Sequence, residues 1–188
     1  MTEAEFLTAI LRNSNNRAIL ARLPSLGLED AWLVSGALFQ TVWNIQTGHD
    51  PARGIRDYDL FYFDPDTSYK AEDAAIRHVR AALRDLNITV EIRNQARVHL
   101  WYGGKFGAPY PPLMRATDGI DRFLTPCGQV GIHAKNDGFA IYAPSGFGDI
   151  AAMIMRPNPV ANFQAAPYLD KAARWKMLWP ELTVLPAT

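Results

Sequence analysis

The sequence predicts an α/β fold of the α+β kind: one domain over residues 1–188, a small mixed sheet and flanking helices. Three observations predict it. Short apolar strands and amphipathic helices alternate in the order β-α-β-α-β between residues 31 and 92. Two more strands flank a hairpin signal in the second half, at "QVGIHA" and "GFAIYA". No linker long enough to divide the chain interrupts either half.

Each element has a local cause. Residues from about Glu3 to Arg22 read as two helical pieces broken near "NSNN", followed by a turn from Pro24 to Glu29. "AWLV", Ala31 to Val34, is a short apolar strand. Ser35-Gly36 opens a helix carrying Leu38, Phe39, Val42 and Trp43 at helical spacing, and Gly48 is placed to end it. "HDPARGIR" is a loop. Leu60 to Phe63 read as a buried strand. A turn at "DPDTS" caps a helix from about Tyr69 to Asn87, and "ITVEI", Ile88 to Ile92, is the third strand. Farther on, "GGKFGAPYPP" reads as a loop because glycine and proline punctuate structure. A short helix is expected within Pro112 to Phe123, and a hairpin turn at "KNDG". "GDIAAMIMRP" is expected to be a helix stopped by Pro157, and "PYLDKAARWKMLWP" a closing helix packed through Trp175, Leu178 and Trp179.

Bulk properties exclude some classes. Lys+Arg and Asp+Glu both number 19, so a broad grip on long nucleic acid, which needs a basic face, is not expected. The single cysteine, Cys127, has no partner for an internal disulfide, which fits a reducing cytoplasm. The opening residues lack the basic start of a signal peptide, and no apolar run approaches the roughly 18 residues that span a bilayer.

The chemistry concentrates at "IRDYDLFYFD". Residues i and i+2 of a strand share a face, so Asp57 and Asp59 should lie side by side. Two like charges at that spacing repel, and one pKa rises unless a cation holds them. Glu91 sits inside the apolar "ITVEI", where an unpaired charge is costly. If the two strands are neighbours, the three acids form an oxygen-rich set suited to Mg²⁺ or Mn²⁺. Solvated strand-end aspartates are the plainer reading. Ser35-Gly36, at a strand-to-helix turn, would let backbone N–H groups approach a phosphate with help from the helix dipole. The plainer reading there is a tight turn that needs glycine.

The order of strand, glycine turn, helix, acid-x-acid strand, helix and acid-bearing strand resembles the nucleotidyltransferase superfamily typified by DNA polymerase β. More closely, the chain resembles a bacterial nucleotidyltransferase-like family of small proteins. The resemblance rests on "SGALFQTVWN", "GIRDYDLFYFD", "VEIRNQARVHLWY", "YAPSGFGDIAAMIMRPNP" and "KAARWKMLWPEL", which together cover most of residues 31 to 180. It implies a nucleotidyltransferase core at 31–93, with family-specific strands and helices at 94–188. It further implies that Asp57 and Asp59 bridge two metal ions and that Glu91 holds the ion at the attacking group. The reaction implied is transfer of NMP from an NTP to a hydroxyl on a small molecule or a protein. Two features depart from the superfamily: Ala37 follows Gly36 where Gly or Ser is usual, and the loop from His49 to Arg56 lengthens the gap to Asp57.

"RNQARVHLWY" supplies further candidates. Arg93 and Arg97 suit phosphate, and Asn94 and Gln95 suit a base edge or ribose. The alternative is that this segment caps a strand end, with His99 a satisfied structural donor. Arg56 and Lys135 read as solvated. Trp43, Trp101, Trp175 and Trp179 read as core. Cys127 lacks an activating partner for nucleophilic work. Phosphatases and glycosyltransferases also use D-x-D, but here two elements precede the motif and the chain is short. The rival from another class is a catalytically inactive protein of the same fold that binds a nucleotide or a partner.

Overall fold

The computed structural model describes residues 1–135 and 137–187. Asn136, in the expected hairpin turn, lies outside the described residues. Among these, five strands form the main sheet: β1 (Trp32–Val34), β2 (Tyr58–Tyr62), β3 (Val90–Asn94), β4 (Gly131–Lys135) and β5 (Gly138–Tyr142), in the order β3-β2-β1-β4-β5. The sheet is mixed, as expected. β2 and β3 are parallel, while β1 runs antiparallel to both β2 and β4, and β4 to β5. Only the second of the two helices in the expected β-α-β-α-β order therefore joins parallel strands. Helix α3 (Gly36–Gln46) joins an antiparallel pair.

Strand alternation gives the sheet two unlike faces. Leu33, Leu60, Ile92 and Ile132 point to one and are wholly buried. Helices α1 (Glu3–Ile10), α2 (Ser14–Arg22), α3 and α4 (Tyr69–Ala82) contribute Phe6, Ile19, Phe39 and Val79 to the same core. Each helix starts on a physical signal: Thr2 and Glu5 form a capping box, Asn13 caps α2 and Ser68 caps α4. Asn13 marks where the first helical stretch breaks. It also donates to Thr41 Oγ1 (3.0 Å), while Asn16 donates to the Ala37 carbonyl (3.0 Å), so buried amides fasten the start of α3. The expected helix to Asn87 ends as α at Ala82 and continues as a 3-10 turn over Arg84–Leu86.

Two expectations in the second half change. The Gly-Pro stretch begins inside a helix, α5 (Val98–Phe106), which ends at Gly107 with φ +67°. Val98, Trp101, Tyr102 and Phe106 recur at helical spacing, and packing of that aromatic stripe outweighs the two glycines. After α6 (Ala116–Ile120), the expected helix ending at Pro157 is a single turn, α7 (Gly148–Ala151). Met153 then adopts φ +51°, and β6 (Ile154–Met155) pairs in parallel with β7 (Thr183–Val184). The closing helix, α8 (Ala165–Leu178), forms as expected. Trp175 and Trp179 pack edge-on against Trp43, with centroids 5.7 and 5.3 Å away, and Trp179 Nε1 donates to Asn44 (3.0 Å). Among the described residues, no helix is long and apolar enough to cross a membrane.

Candidate active site

The second face of the sheet carries the charges. Asp59 stands in register with Val34 on β1 and with Glu91 on β3. Directly opposed residues of neighbouring strands share a face, so Asp59 and Glu91 are side by side. Asp57 immediately precedes β2 and, two residues back, falls on the same face. The β2 strand is not buried throughout: Tyr58, Leu60 and Tyr62 are buried, while Asp59 and Phe61 look out of this second face.

Charge crowding is visible in the Asp59 carboxyl. Desolvation first, then Asp57 and Glu91, push its pKa up to about 7, with Lys171 and Arg93 opposing. Glu91 accepts a hydrogen bond from Arg93 Nη2 (3.2 Å), two residues along on the same face. Lys171 and Arg174 come from α8 at an i, i+3 spacing that puts them on one side of that helix. Desolvation and then Arg174 hold the Lys171 ammonium below its usual pKa, although Asp59 and Asp57 favour its charge. Desolvation and Arg56 likewise lower Arg174, against the pull of Asp57. These two cations open "KAARWKMLWPEL", one of the stretches that carry the family resemblance, and their spacing on the closing helix is the signal that could have drawn attention to them.

The Ser35–Gly36 turn lies at the same end of β2 as Asp57, because Val34 pairs with Asp59 and β1 runs antiparallel. Ser35 adopts φ 56°, ψ −115°, a strained conformation for a residue with a side chain. Its own N–H is spent on the Val130 carbonyl (2.8 Å), and its carbonyl receives Leu38 and Phe39 N–H. A Cβ on Gly36 would come within 2.9 Å of Gln40 Nε2, the end of a flexible side chain that can shift to make room.

A cleft of about 410 Å³ opens beside this cluster. Asp59, Glu91, Arg93 and Lys171 line one part, while Trp101, Tyr102, Phe106 and Tyr110 line another. Phe61 and Phe123 also line it and stack at 5.5 Å with an interplanar angle of 10°. Trp101 is thus a cleft residue, unlike the other expected core tryptophans.

Other expected residues are elsewhere. Asn94 is wholly buried on the helix-packed face. Its amide oxygen accepts from Asp64 and Ala96 N–H, and its amide nitrogen donates to the Asp64 carbonyl (2.9 Å). Arg97 has its anion within the protein: it pairs with Glu72 and donates through Nε to the Thr67 carbonyl (2.8 Å). Both side chains are committed to structure, so neither joins the cleft. Gln95, from the same stretch, does line it. His99 is not a satisfied donor: its Nδ1 is buried without a partner among the described residues. Cys127 is buried, which pushes its thiol up to about 12 and leaves it inert as a nucleophile.

The donor set of Asp57, Asp59 and Glu91 is hard, anionic oxygen crowded enough to raise a pKa, which suits a divalent cation. Among the described residues, no three His, Cys, Asp or Glu side chains converge into a ready cage. Glu91 is held by Arg93 (3.2 Å) and would have to leave it to join Asp57 and Asp59 about an ion.

A family model for nucleotidyltransferases matches residues 21–184. The chain belongs to the nucleotidyltransferase family. The match runs from α2 into β7, and so takes in all five strands and α8. No curated protein matches the chain. Among solved structures, this nucleotidyltransferase resembles a protein whose NMR structure reveals a CCA-adding enzyme head domain, with TM-score 0.80, 24% identity, and coverage of 99% of this chain and 97% of that one. It also resembles a CCA-adding enzyme in complex with CTP, with TM-score 0.53 and 9% identity over 97% of this chain and 43% of the other. At these identities the likeness is one of fold.

Proposed function

We propose that this nucleotidyltransferase moves a nucleoside monophosphate from an NTP to a hydroxyl acceptor, with Mg²⁺ or Mn²⁺ held by Asp57 and Asp59 and joined by Glu91. The observation that carries this reading is the register of Asp59 with Glu91, beside Asp57, at the wall of the cleft. When bound, the metal would lower the pKa of the acceptor hydroxyl and neutralise phosphate charge. The acceptor oxygen attacks the α-phosphorus, the bond to the β-phosphate breaks, and pyrophosphate leaves. In this reading the N–H groups of Gly36 and Ala37, rather than the already bonded ones of Ser35, Leu38 and Phe39, meet the phosphates. Lys171 and Arg174 offset charge on the departing pyrophosphate, and Arg93 releases Glu91 as the acceptor arrives. Positioning and electrostatics do most of the work in such transfers.

The reading treats residues 1–188 as one functional unit, with the core at 31–93 elaborated by 94–188. A small molecule or a protein suits the acceptor better than a long polynucleotide, since the formal charge is zero. The buried lone Cys127 fits a reducing cytoplasm. The test is incubation with each α-³²P-labelled NTP, CTP first because an enzyme of like fold binds it, with Mg²⁺ or Mn²⁺ and cell lysate as acceptor source. Label transfer by the wild type and not by Asp59→Ala supports the reading.

One observation favours a second reading, a nucleotide-binding protein without turnover: Arg93 and Lys171 already offset the carboxylates. NTP binding without transfer under either metal would select it.

A further inference from the structure

We infer that the aromatic cleft receives the acceptor, and that this acceptor is a small aromatic hydroxy acid: a flat ring carrying a hydroxyl and an anionic group. This rests on the NTP-dependent reading above and names the acceptor class that the reading leaves open. The direction of the cleft carries the argument. The Ser35–Gly36 turn and the start of α3 lie at the Asp57 end of β2. The cleft runs the other way. Its floor is Asp59 and Glu91, then Phe61 and Arg93, which pair in register two residues farther along the same face, about 7 Å on at the rise of a strand. Among the described residues, its lining includes neither Asp57 nor Gly36. In phosphoryl-type transfer the attacking and leaving oxygens stand roughly in line, on opposite sides of the phosphorus. With the departing pyrophosphate at the α3 turn and the α-phosphorus at the acids, the attacking oxygen comes from the Phe61 and Arg93 side, where the cleft opens.

The walls give the chemistry of what enters. Tyr102 has its ring centroid 4.4 Å from Tyr110 and 6.0 Å from Trp101, and Phe61 stacks on Phe123 at 5.5 Å. Aromatic walls take a flat ring by stacking and edge contacts. A concave site of about 410 Å³ with such walls and a few polar groups has the size and character of a small-molecule site. Arg122 supplies the anion partner. It is half-buried, lines the cleft and makes no ion pair among the described residues. A guanidinium beside aromatic walls suits a planar acid group, which it can hold through two parallel hydrogen bonds. In the reaction, the hydroxyl oxygen of the bound ring forms a bond to the α-phosphorus. The bond from that phosphorus to the oxygen bridging to the β-phosphate breaks, pyrophosphate leaves, and the hydroxyl proton passes to water. The product is a phosphodiester between the nucleoside and the aromatic acid.

The test is label transfer from each α-³²P-labelled NTP, with Mg²⁺, to a cell lysate divided by ultrafiltration into macromolecules and small metabolites. Label should enter a product from the small-metabolite fraction alone. Phosphodiesterase should release NMP from it, and mass spectrometry of the other half should show an aromatic hydroxy acid. Trp101→Ala should raise the KM for that acceptor about tenfold, the scale of one lost aromatic contact, with NTP affinity unchanged, and Trp101→Phe should restore most of the loss. Arg122→Gln should raise the same KM about tenfold or more, the scale of a lost charged hydrogen bond. Label confined to macromolecules overturns the small acceptor, and a product without a ring overturns the aromatic class. Weakened NTP binding with an unchanged acceptor KM in Trp101→Ala overturns the placement. If neither fraction takes label, the NTP-dependent reading fails separately. Titration of tryptophan fluorescence with para-hydroxyphenylacetate, against gluconate as the aliphatic control, then decides the cleft: saturable quenching by the aromatic acid alone, lost in Trp101→Ala and weakened in Arg122→Gln, upholds it, and its absence overturns it.

Discussion

Strand β3 and the turn that follows place two polar clusters on opposite sides of the same sheet, and the two are built to opposite ends. On the helix-packed side, Asn94 ties β3 to the loop after β2 through its amide, Glu72 receives the Asn94 N–H (3.0 Å), and Arg97 pairs with Glu72. Nearly every donor there has an acceptor. On the open side, one residue out of phase, Glu91 and Arg93 stand next to Asp59, whose carboxyl is forced up to about 7 by desolvation and by its fellow acids. A satisfied network holds shape, while a crowded one with like charges stores unfavourable energy that a ligand can relieve. The difference teaches where stability and function divide in this molecule.

Substitutions on each side should break that contrast in opposite ways. The largest effect is expected from Asp59→Asn: label transfer should fall by about a thousandfold or more, the scale of losing a key electrostatic group, while thermal stability at pH 8 holds or rises because a repelled charge is gone. A fall in Tm with transfer retained would reverse the assignment of the two clusters. Glu72→Ala should do the converse. It leaves Arg97 buried without its anion and should cost about 3–5 kcal/mol in chemical denaturation, with NTP affinity of the folded protein unchanged.

A smaller effect is expected from pH. Asp59 has a folded pKa of about 7, above its unfolded value, so the folded state holds the proton more tightly. The Asp59 contribution to the stability of the metal-free protein should be fully present below the unfolded pKa, decline as pH rises toward about 7, and be lost above it. Denaturation series at pH 5, 6, 7 and 8 on wild type and Asp59→Asn check this, because the mutant should lose that component of the slope. Smallest of all is Ser35→Gly. Removing a side chain from φ 56° should stabilise by about 1 kcal/mol, readable as a modest rise in Tm. If the hydroxyl serves phosphate, NTP affinity drops a fewfold in the same variant.

Much of this was legible in the chain. Alternation and helical spacing reported β1, α3, β2, α4 and β3, because those elements bury one face each and the pattern of apolar residues is the record of that burial. The D-x-D spacing and the lone acid in "ITVEI" reported which side chains would share a face, provided the strands were neighbours. Local patterns misled where long-range packing decided: α5 forms across Gly103 and Gly104, and the chain after α7 turns into β6 because β7, some 30 residues on, offers it a partner. "RNQARVHLWY" shows the limit most clearly. By itself the sequence determined that this segment is rich in donors, since residue type is local information. Which donors face the cleft was decided by the tertiary structure alone. The parallel pairing of β2 with β3 set the phase that sends Glu91 and Arg93 to the open face and Asn94 to the packed one, and the position of α4 handed Arg97 to Glu72. Register, and the partner an element happens to meet, are properties of distant segments brought together, and no single stretch of sequence contains them.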